Sequence, residues 1–62
     1  MGAVTEFSMP KALLVEDIAT NRITVHSQLE LLGFQVYSAA NFDEAKDIFG
    51  NHCFQIVLIH LG

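Results

Sequence analysis

The sequence predicts an α/β protein in which three parallel strands alternate with two helices. Two short apolar segments, 12–15 and 56–59, show no alternation of polar and apolar residues, which is typical of strands buried on both faces of a sheet. Between them lie two segments with apolar residues at helical spacing, separated by a third, weaker strand pattern. Because the connections are only a few residues long, right-handed crossovers between these elements would make the sheet parallel.

Length and composition limit what this fold can bury and bind. At 62 residues the chain is at most one small domain, and domains of this size bury only about 60% of their unfolded surface. Hydrophobic residues make up 52% of the chain, so we expect the excess to be buried in a core or against another chain. No apolar stretch approaches the roughly 20 residues that cross a bilayer, and a net charge of −4 argues against nucleic acid or a membrane as a partner. With Cys53 as its single cysteine, the chain fits a reducing compartment, and we expect it to be cytoplasmic.

The first nine residues show none of these patterns. They also lack the basic start and the apolar centre of a signal peptide. We expect residues 1–9 to be a flexible leader or tag and residues 10–62 to be the folded domain.

The first predicted strand is followed by two adjacent acids, Glu16 and Asp17. Ligands of open parallel sheets bind just beyond the carboxyl ends of the strands, and Mg²⁺ prefers carboxylate oxygens. The pair is therefore a candidate Mg²⁺ site. An acidic turn that leads into a helix explains the same residues equally well, because carboxylates also suit a helix N-terminus.

The segment Ile18–Leu32 is predicted to be the first helix, with an apolar stripe as its buried face. Thr20 or Asn21 could cap its start, and Gly33 stands where a left-handed residue ends a helix. We expect His26 on the exposed surface of this helix. The stripe consists of Ile18, Val25, Leu29 and Leu32.

A second strand and a second helix follow. Phe34–Ala40 alternates weakly and contains Phe, Val and Tyr, which predicts a short strand, and the polar Gln35 and Ser38 suggest an edge position. The next helix is predicted to begin at Asn41, which would cap it with the help of Glu44 three residues later. It is predicted to end at Gly50 and Asn51, with a buried face of Phe42, Ala45, Ile48 and Phe49.

Phe54–Leu61 is the third predicted strand, and His60 lies at its carboxyl end. Its apolar run suggests burial on both faces, yet Gly62, the last residue, follows it directly. A strand of this kind with nothing to cover its edge is a pairing surface. We therefore expect a homodimer or higher oligomer through this strand, with an antiparallel junction about a two-fold axis. The expected interface residues are Phe54, Ile56, Val57, Leu58 and Ile59.

A set of short motifs recurs along the chain in a defined order. They are LLVED at 13–17, NR at 21–22, LELLGF at 29–34, AAN at 39–41, EA at 44–45 and IVLI at 56–59. In combination they resemble the N-terminal half of a response-regulator receiver domain of two-component phosphorelay systems. In particular they resemble receivers attached to hybrid histidine kinases.

The resemblance implies a flavodoxin-like receiver fold that is truncated after its third strand, with strand order 2-1-3. Phe54–Leu61 would then be an edge strand, and the faces that later helices cover in receivers would be bare. It also implies that Glu16 and Asp17 match the acidic pair that helps to hold Mg²⁺ in the family. The phosphoryl acceptor of receivers is an aspartate at the end of the third strand, and His60 stands at that position. Imidazole forms no acyl phosphate and suits Mg²⁺ poorly, so Mg²⁺ binding would be weakened and no cofactor is required.

The expected function is that of a degenerate or truncated receiver in phosphorelay signalling. The Thr or Ser and the Lys that receivers place on their fourth and fifth strands have no counterpart in the chain. We therefore expect no enzymatic activity, although the chain could be a fragment of a hybrid sensor histidine kinase. It would act through association with a second copy, a histidine kinase or another receiver.

Three alternatives concern His60. Glu16, Asp17 and His60 would converge at one end of the sheet, where carboxylates and imidazole suit a divalent transition metal such as zinc or nickel. His60 could instead fill the acceptor position and form a hydrogen bond with one of the acids. Phosphorylation of His60 itself is disfavoured, because its neighbours in the sequence pattern are acidic and no assisting cation is visible.

Overall fold

The computed structural model describes residues 9–61 and contains the predicted elements in the predicted order. Of the predicted leader, residues 1–8 lie outside the described residues. The strands are β1 (Lys11–Glu16), β2 (Gln35–Ala39) and β3 (Ile56–His60), and the helices are α1 (Ala19–Leu31) and α2 (Phe42–Phe49).

The three strands form one parallel sheet in the order β2-β1-β3, as predicted. β1 is the central strand, and Leu14 lies opposite Ser38 of β2 on one side and opposite Leu58 of β3 on the other. Residues in register point to the same face of a parallel sheet, so this pairing fixes which side chains share a face. The edge position predicted for β2 is confirmed.

Alternate residues of β1 divide the core into two clusters, one on each face of the sheet. The four residues Ala12–Val15 are all buried, so the prediction that this strand is covered on both faces is confirmed. The cluster under α2 contains Leu13, Val15, Ala39 and Ala45, and the cluster under α1 contains Ala12, Leu14 and Leu29.

The start of α2 follows the sequence prediction. The side chain of Asn41 accepts a hydrogen bond from the Glu44 amide at 3.0 Å. The Glu44 carboxylate in turn accepts one from the amide of Ala40 at 2.8 Å. Together these bonds satisfy amides at the helix start that have no partner within the helix. The helix ends at Gly50, also as predicted.

The start of α1 was predicted wrongly. Neither Thr20 nor Asn21 caps the helix, because Ile18 occupies the N-cap position and no side-chain cap is formed there. The Ile18 amide instead donates to the carboxylate of Glu16 at 3.1 Å. At the other end Gly33 has a φ of +98°, which confirms the predicted left-handed residue after the helix.

The apolar faces predicted for the helices are buried only in part. Leu29 of α1 and Ala45 of α2 are buried, and they lie over β1 and β2. Four other predicted members are exposed and are wrong as core residues. They are Ile18, Leu32, Phe42 and Phe49, which are between 45% and 74% exposed.

Burial of β3 on both faces, which its apolar run suggested, is wrong, whereas the edge position and bare faces expected from a truncated receiver fold are confirmed within the described residues. Its four apolar residues, Ile56–Ile59, are between 37% and 52% exposed. β3 pairs only with β1, and within residues 9–61 neither α1 nor α2 contacts it. Burial needs covering elements as well as apolar side chains, and the described part of the chain provides none for this strand.

Candidate functional site

In the described part of the chain, β3 is an edge strand whose two apolar faces no helix contacts. Its register with β1 places Ile56 and Leu58 on the α1 face of the sheet and Val57 and Ile59 on the α2 face. Within the described residues no strand pairs with its outer edge. Unpaired backbone groups along an apolar edge strand can bind another extended segment. The strand is therefore a candidate interface.

Phe54, the remaining expected interface residue, lies elsewhere. It precedes β3 and packs against the core cluster under α2. Its ring centroid lies 5.7 Å from that of Tyr37 in an edge-on arrangement and 6.1 Å from that of Phe49 in a stacked one. Phe54 therefore belongs to an aromatic cluster at the start of β3.

Glu16 and His60 form a hydrogen-bonded pair at the carboxyl ends of β1 and β3. The two residues are in register, and the distance between Glu16 Oε1 and His60 Nδ1 is 2.6 Å. The carboxylate is buried, with only 1% of the residue exposed. The alternative in which His60 forms a hydrogen bond with one of the acids is therefore confirmed.

The pair leaves one nitrogen of His60 for other chemistry. The contact with Glu16 uses Nδ1, so Nε2 is the ring nitrogen that takes no part in it. The His60 side chain is 65% exposed, and it reaches the surface beside a buried acid that orients it. Glu16 Oε2 is engaged separately by the Ile18 amide.

Arg22 brings a positive charge to the same end of β1, a contact that sequence analysis missed. Its Nη1 donates to the backbone oxygen of Glu16 at 2.7 Å. Only the structure shows that the Arg22 guanidinium reaches the end of this strand.

A groove between α1 and β3 opens beside the pair and has a volume of about 440 Å³. It exists because α1 lies over β1 and β2 and leaves β3 uncovered. Glu16 and His60 lie among its lining residues, and the remainder are Leu14, Asn21, Thr24, Val25, Leu58 and Ile59.

The predicted metal ligands are brought together only in part. Glu16 and His60 are hydrogen-bonded, and Asp17 is the exposed residue after Glu16, in the bend that follows β1. Within residues 9–61, no three His, Cys, Asp or Glu side chains form a group that could hold a metal ion. A Mg²⁺ ion at Glu16 would have to compete with the Ile18 amide and His60 for the carboxylate oxygens.

A second polar cluster links α1 to β2, and sequence analysis missed it too. His26 Nδ1 lies 2.6 Å from Ser38 Oγ, and His26 Nε2 lies 3.3 Å from Glu30 Oε2. The spacing of His26 and Glu30, four residues apart on one helix, is a signal for their contact. The contact with Ser38 depends on how α1 lies across β2, which the spacing does not predict.

Comparison of the chain with protein-family models, with curated proteins and with solved structures finds no match. Within the described residues, neither helix has the length and apolar character needed to cross a bilayer.

Proposed function

We propose that the chain is a degenerate receiver-like module that acts through protein–protein association at β3. The observation that carries the proposal is the exposure of four consecutive apolar residues, Ile56–Ile59, on a strand with an open outer edge. Apolar strands of this kind bind a further strand through backbone hydrogen bonds and side-chain burial.

The area still exposed on β3 is large enough to support association. Complete burial of a Val, Leu or Ile side chain stabilises by about 1.5–3 kcal/mol. Each of the four side chains has already lost roughly half of its exposure, so covering the remainder would contribute on the order of 1 kcal/mol per residue. Backbone hydrogen bonds along the edge add to this gain, and the loss of translational and rotational freedom opposes it.

The partner we propose is a second copy of the chain. A two-fold axis perpendicular to the sheet would join two β3 strands antiparallel and give a continuous six-stranded sheet. The net charge of −4 does not oppose this contact locally, because His60 is the only ionisable side chain within Ile56–His60. The junction therefore brings no acidic side chains of this strand together.

Several features support the receiver-like part of the proposal. The element order, the parallel sheet with β1 at its centre and the acids at the end of β1 all match the pattern of a flavodoxin-like receiver. His60 holds the position of the phosphoryl acceptor, and its Nδ1 is committed to Glu16. The proposal therefore excludes acyl phosphate formation at the end of β3.

The oligomeric state in solution tests the association directly. We expect wild type to sediment as a dimer or higher oligomer across a wide concentration range. Ile59→Lys should sediment as a monomer and retain its circular dichroism spectrum, because it places charge on the proposed junction. Ile23→Lys is the matched control, since it adds the same charge at an exposed apolar residue of α1. A monomeric wild type, or equal dissociation of the two variants, would refute the proposal.

Phosphorylation can be tested on the same samples. After incubation with acetyl phosphate and Mg²⁺, the intact mass of wild type should show no added phosphoryl group. A phosphoryl group on any residue at the ends of β1 or β3 contradicts the proposal that this receiver-like module is degenerate.

One observation favours metal binding as a second candidate function. A histidine whose one nitrogen is held by a carboxylate while the other faces solvent is a common arrangement in metal sites. Zinc or nickel should then raise the melting temperature of wild type and of His52→Ala, but not of His60→Ala. An unchanged melting temperature of wild type removes this candidate.

A further inference from the structure

Ser38, His26 and Glu30 are connected in the sequence hydroxyl, imidazole, carboxylate, the arrangement that activates a serine as a nucleophile. Ser38 Oγ lies 2.6 Å from His26 Nδ1, within the range of a strong hydrogen bond. The other ring nitrogen, Nε2, lies 3.3 Å from Glu30 Oε2. A nucleophile next to a base, with a third group that orients the base, is the general arrangement of nucleophilic catalysis.

The hydrogen-bond directions agree with that role. Glu30 as a carboxylate only accepts, so Nε2 of His26 carries the ring hydrogen. The lone pair of the neutral ring then lies on Nδ1 and accepts the hydrogen of the Ser38 hydroxyl. Ser38 is thus the donor and His26 is the acceptor, which is the polarity that a general base requires.

The surroundings hold Ser38 in place and leave space for a small molecule. Ser38 lies on β2 and pairs with Leu14, so the strand fixes its backbone. A second groove of about 230 Å³ opens beside the hydroxyl and is separate from the groove along β3. It is lined by Arg22, Ile23, His26, Ser27 and Ser38.

Arg22 gives this groove its charge. Its guanidinium always carries a positive charge and has five hydrogen-bond donors, and Nη1 donates to the backbone oxygen of Glu16. Negative charge that develops on an acyl or phosphonyl oxygen would be favoured beside such a group. The groove therefore combines a polarised hydroxyl, a base and a cation.

We propose that Ser38 is a nucleophile that accepts acyl or phosphonyl groups from small activated donors. With an aryl ester, the Ser38 Oγ–acyl carbon bond forms and the ester C–O bond breaks. The hydroxyl proton passes to His26 and then to the departing aryloxide, which leaves as the phenol. With an alkyl fluorophosphonate, the O–P bond forms, the P–F bond breaks, and the proton leaves with fluoride.

The three residues should contribute unequally. General-base assistance is worth about 10²–10⁴-fold in rate, so loss of His26 should have a large effect. Glu30 is a positioning residue, and its side chain is 58% exposed in a contact of 3.3 Å. Exposed pairs of this kind are weak, so loss of Glu30 should lower the rate by about three- to tenfold.

The experiment measures labelling of the full chain by a fluorophosphonate with intact mass and peptide mapping. Wild type should gain one label, and the label should map to Ser38. Ser38→Ala should remove it, while Thr24→Ala, which removes a hydroxyl of α1 outside this groove, should leave the rate unchanged. Circular dichroism melts show whether each variant is folded.

Rescue experiments separate catalysis from structure. His26→Ala should label about a hundredfold more slowly, and added imidazole should restore part of the rate. Glu30→Gln, which keeps an acceptor oxygen for Nε2, should restore most of the rate lost in Glu30→Ala. The proposal is overturned if wild type takes no label, if the label maps to Tyr37 or Ser27, or if folded Ser38→Ala labels at the wild-type rate. These outcomes leave the association at β3 unaffected.

Discussion

β1 and β3 are neighbouring strands with nearly the same apolar character, yet one is buried and the other is exposed. Leu14 of β1 is 0% exposed, and Leu58 of β3, its partner in register, is 40% exposed. β1 has a strand on each side and a helix on each face. β3 has one neighbouring strand, and no described helix contacts it.

The difference shows what an apolar pattern can and cannot predict. A continuous apolar run indicates that a strand is able to be buried on both faces. Whether it is buried depends on the elements around it, which a short sequence window does not contain. The apolar side chains of β3 could be buried further than the described residues bury them. We propose that a second copy of the chain covers part of their exposed surface.

The largest expected effect comes from truncating Leu14 and Leu58, the two leucines that are in register on β1 and β3. Leu14→Ala should lower the free energy of unfolding by about 3 kcal/mol, because it leaves a cavity in the core under α1. Leu58→Ala removes a half-exposed side chain and should cost less than about 1 kcal/mol in dilute solution. Urea unfolding followed by circular dichroism at low protein concentration measures both values.

The difference between the Leu14→Ala and Leu58→Ala values shows whether β3 is exposed in dilute solution. Similar losses of unfolding free energy in the two variants would show that Leu58 is as buried as Leu14. The difference in exposure between β1 and β3 would then not hold in solution. A loss at Leu58 that grows with protein concentration would instead locate the missing cover in a second copy.

A smaller effect is expected from concentration alone. For a two-state dimer, each tenfold rise in protein concentration stabilises the folded form by about 1.4 kcal/mol. Wild type should show this dependence in thermal melts, and Leu58→Ala should reduce it. Leu31→Ala, at an exposed apolar residue of α1, is the control that should retain it. A melting temperature that is independent of concentration in wild type would contradict pairing at β3.

Much of the fold could be predicted from local patterns. The order of the five elements follows from hydrophobic periodicity, and the start of α2 follows from the spacing of Asn41 and Glu44. The left-handed Gly33 follows from its position after an apolar stripe. Each of these features depends on residues within a few positions of one another, which is why the sequence alone predicts them.

Most of the features that were missed depend on contacts between distant residues. The start of α1 is a local exception, because the side chain of Glu16, two positions earlier, accepts the amide hydrogen of Ile18. Phe42 and Phe49 are on the predicted apolar face of α2, but burial depends on how that helix lies on the sheet, and both are more than half exposed. The hydrogen bond between Ser38 and His26 depends on the placement of α1 across β2. At the candidate site, the Glu16–His60 pair was anticipated as one alternative, since both residues end parallel strands.

The smallest expected effect comes from removing His60, which is bonded to Glu16 at the carboxyl ends of β3 and β1. His60→Ala should cost less than about 1 kcal/mol, because the imidazole is largely exposed and its bond to Glu16 is partly screened by solvent. A double-mutant cycle with Glu16→Gln isolates the coupling between the two side chains. A coupling of a few tenths of a kcal/mol would indicate that the end of β3 frays while β1 stays fixed. A coupling well above 1 kcal/mol would mean that the Glu16–His60 bond holds the two strand ends together. The end of β3 would then be as well ordered as that of β1, and the two strands would differ only in exposure.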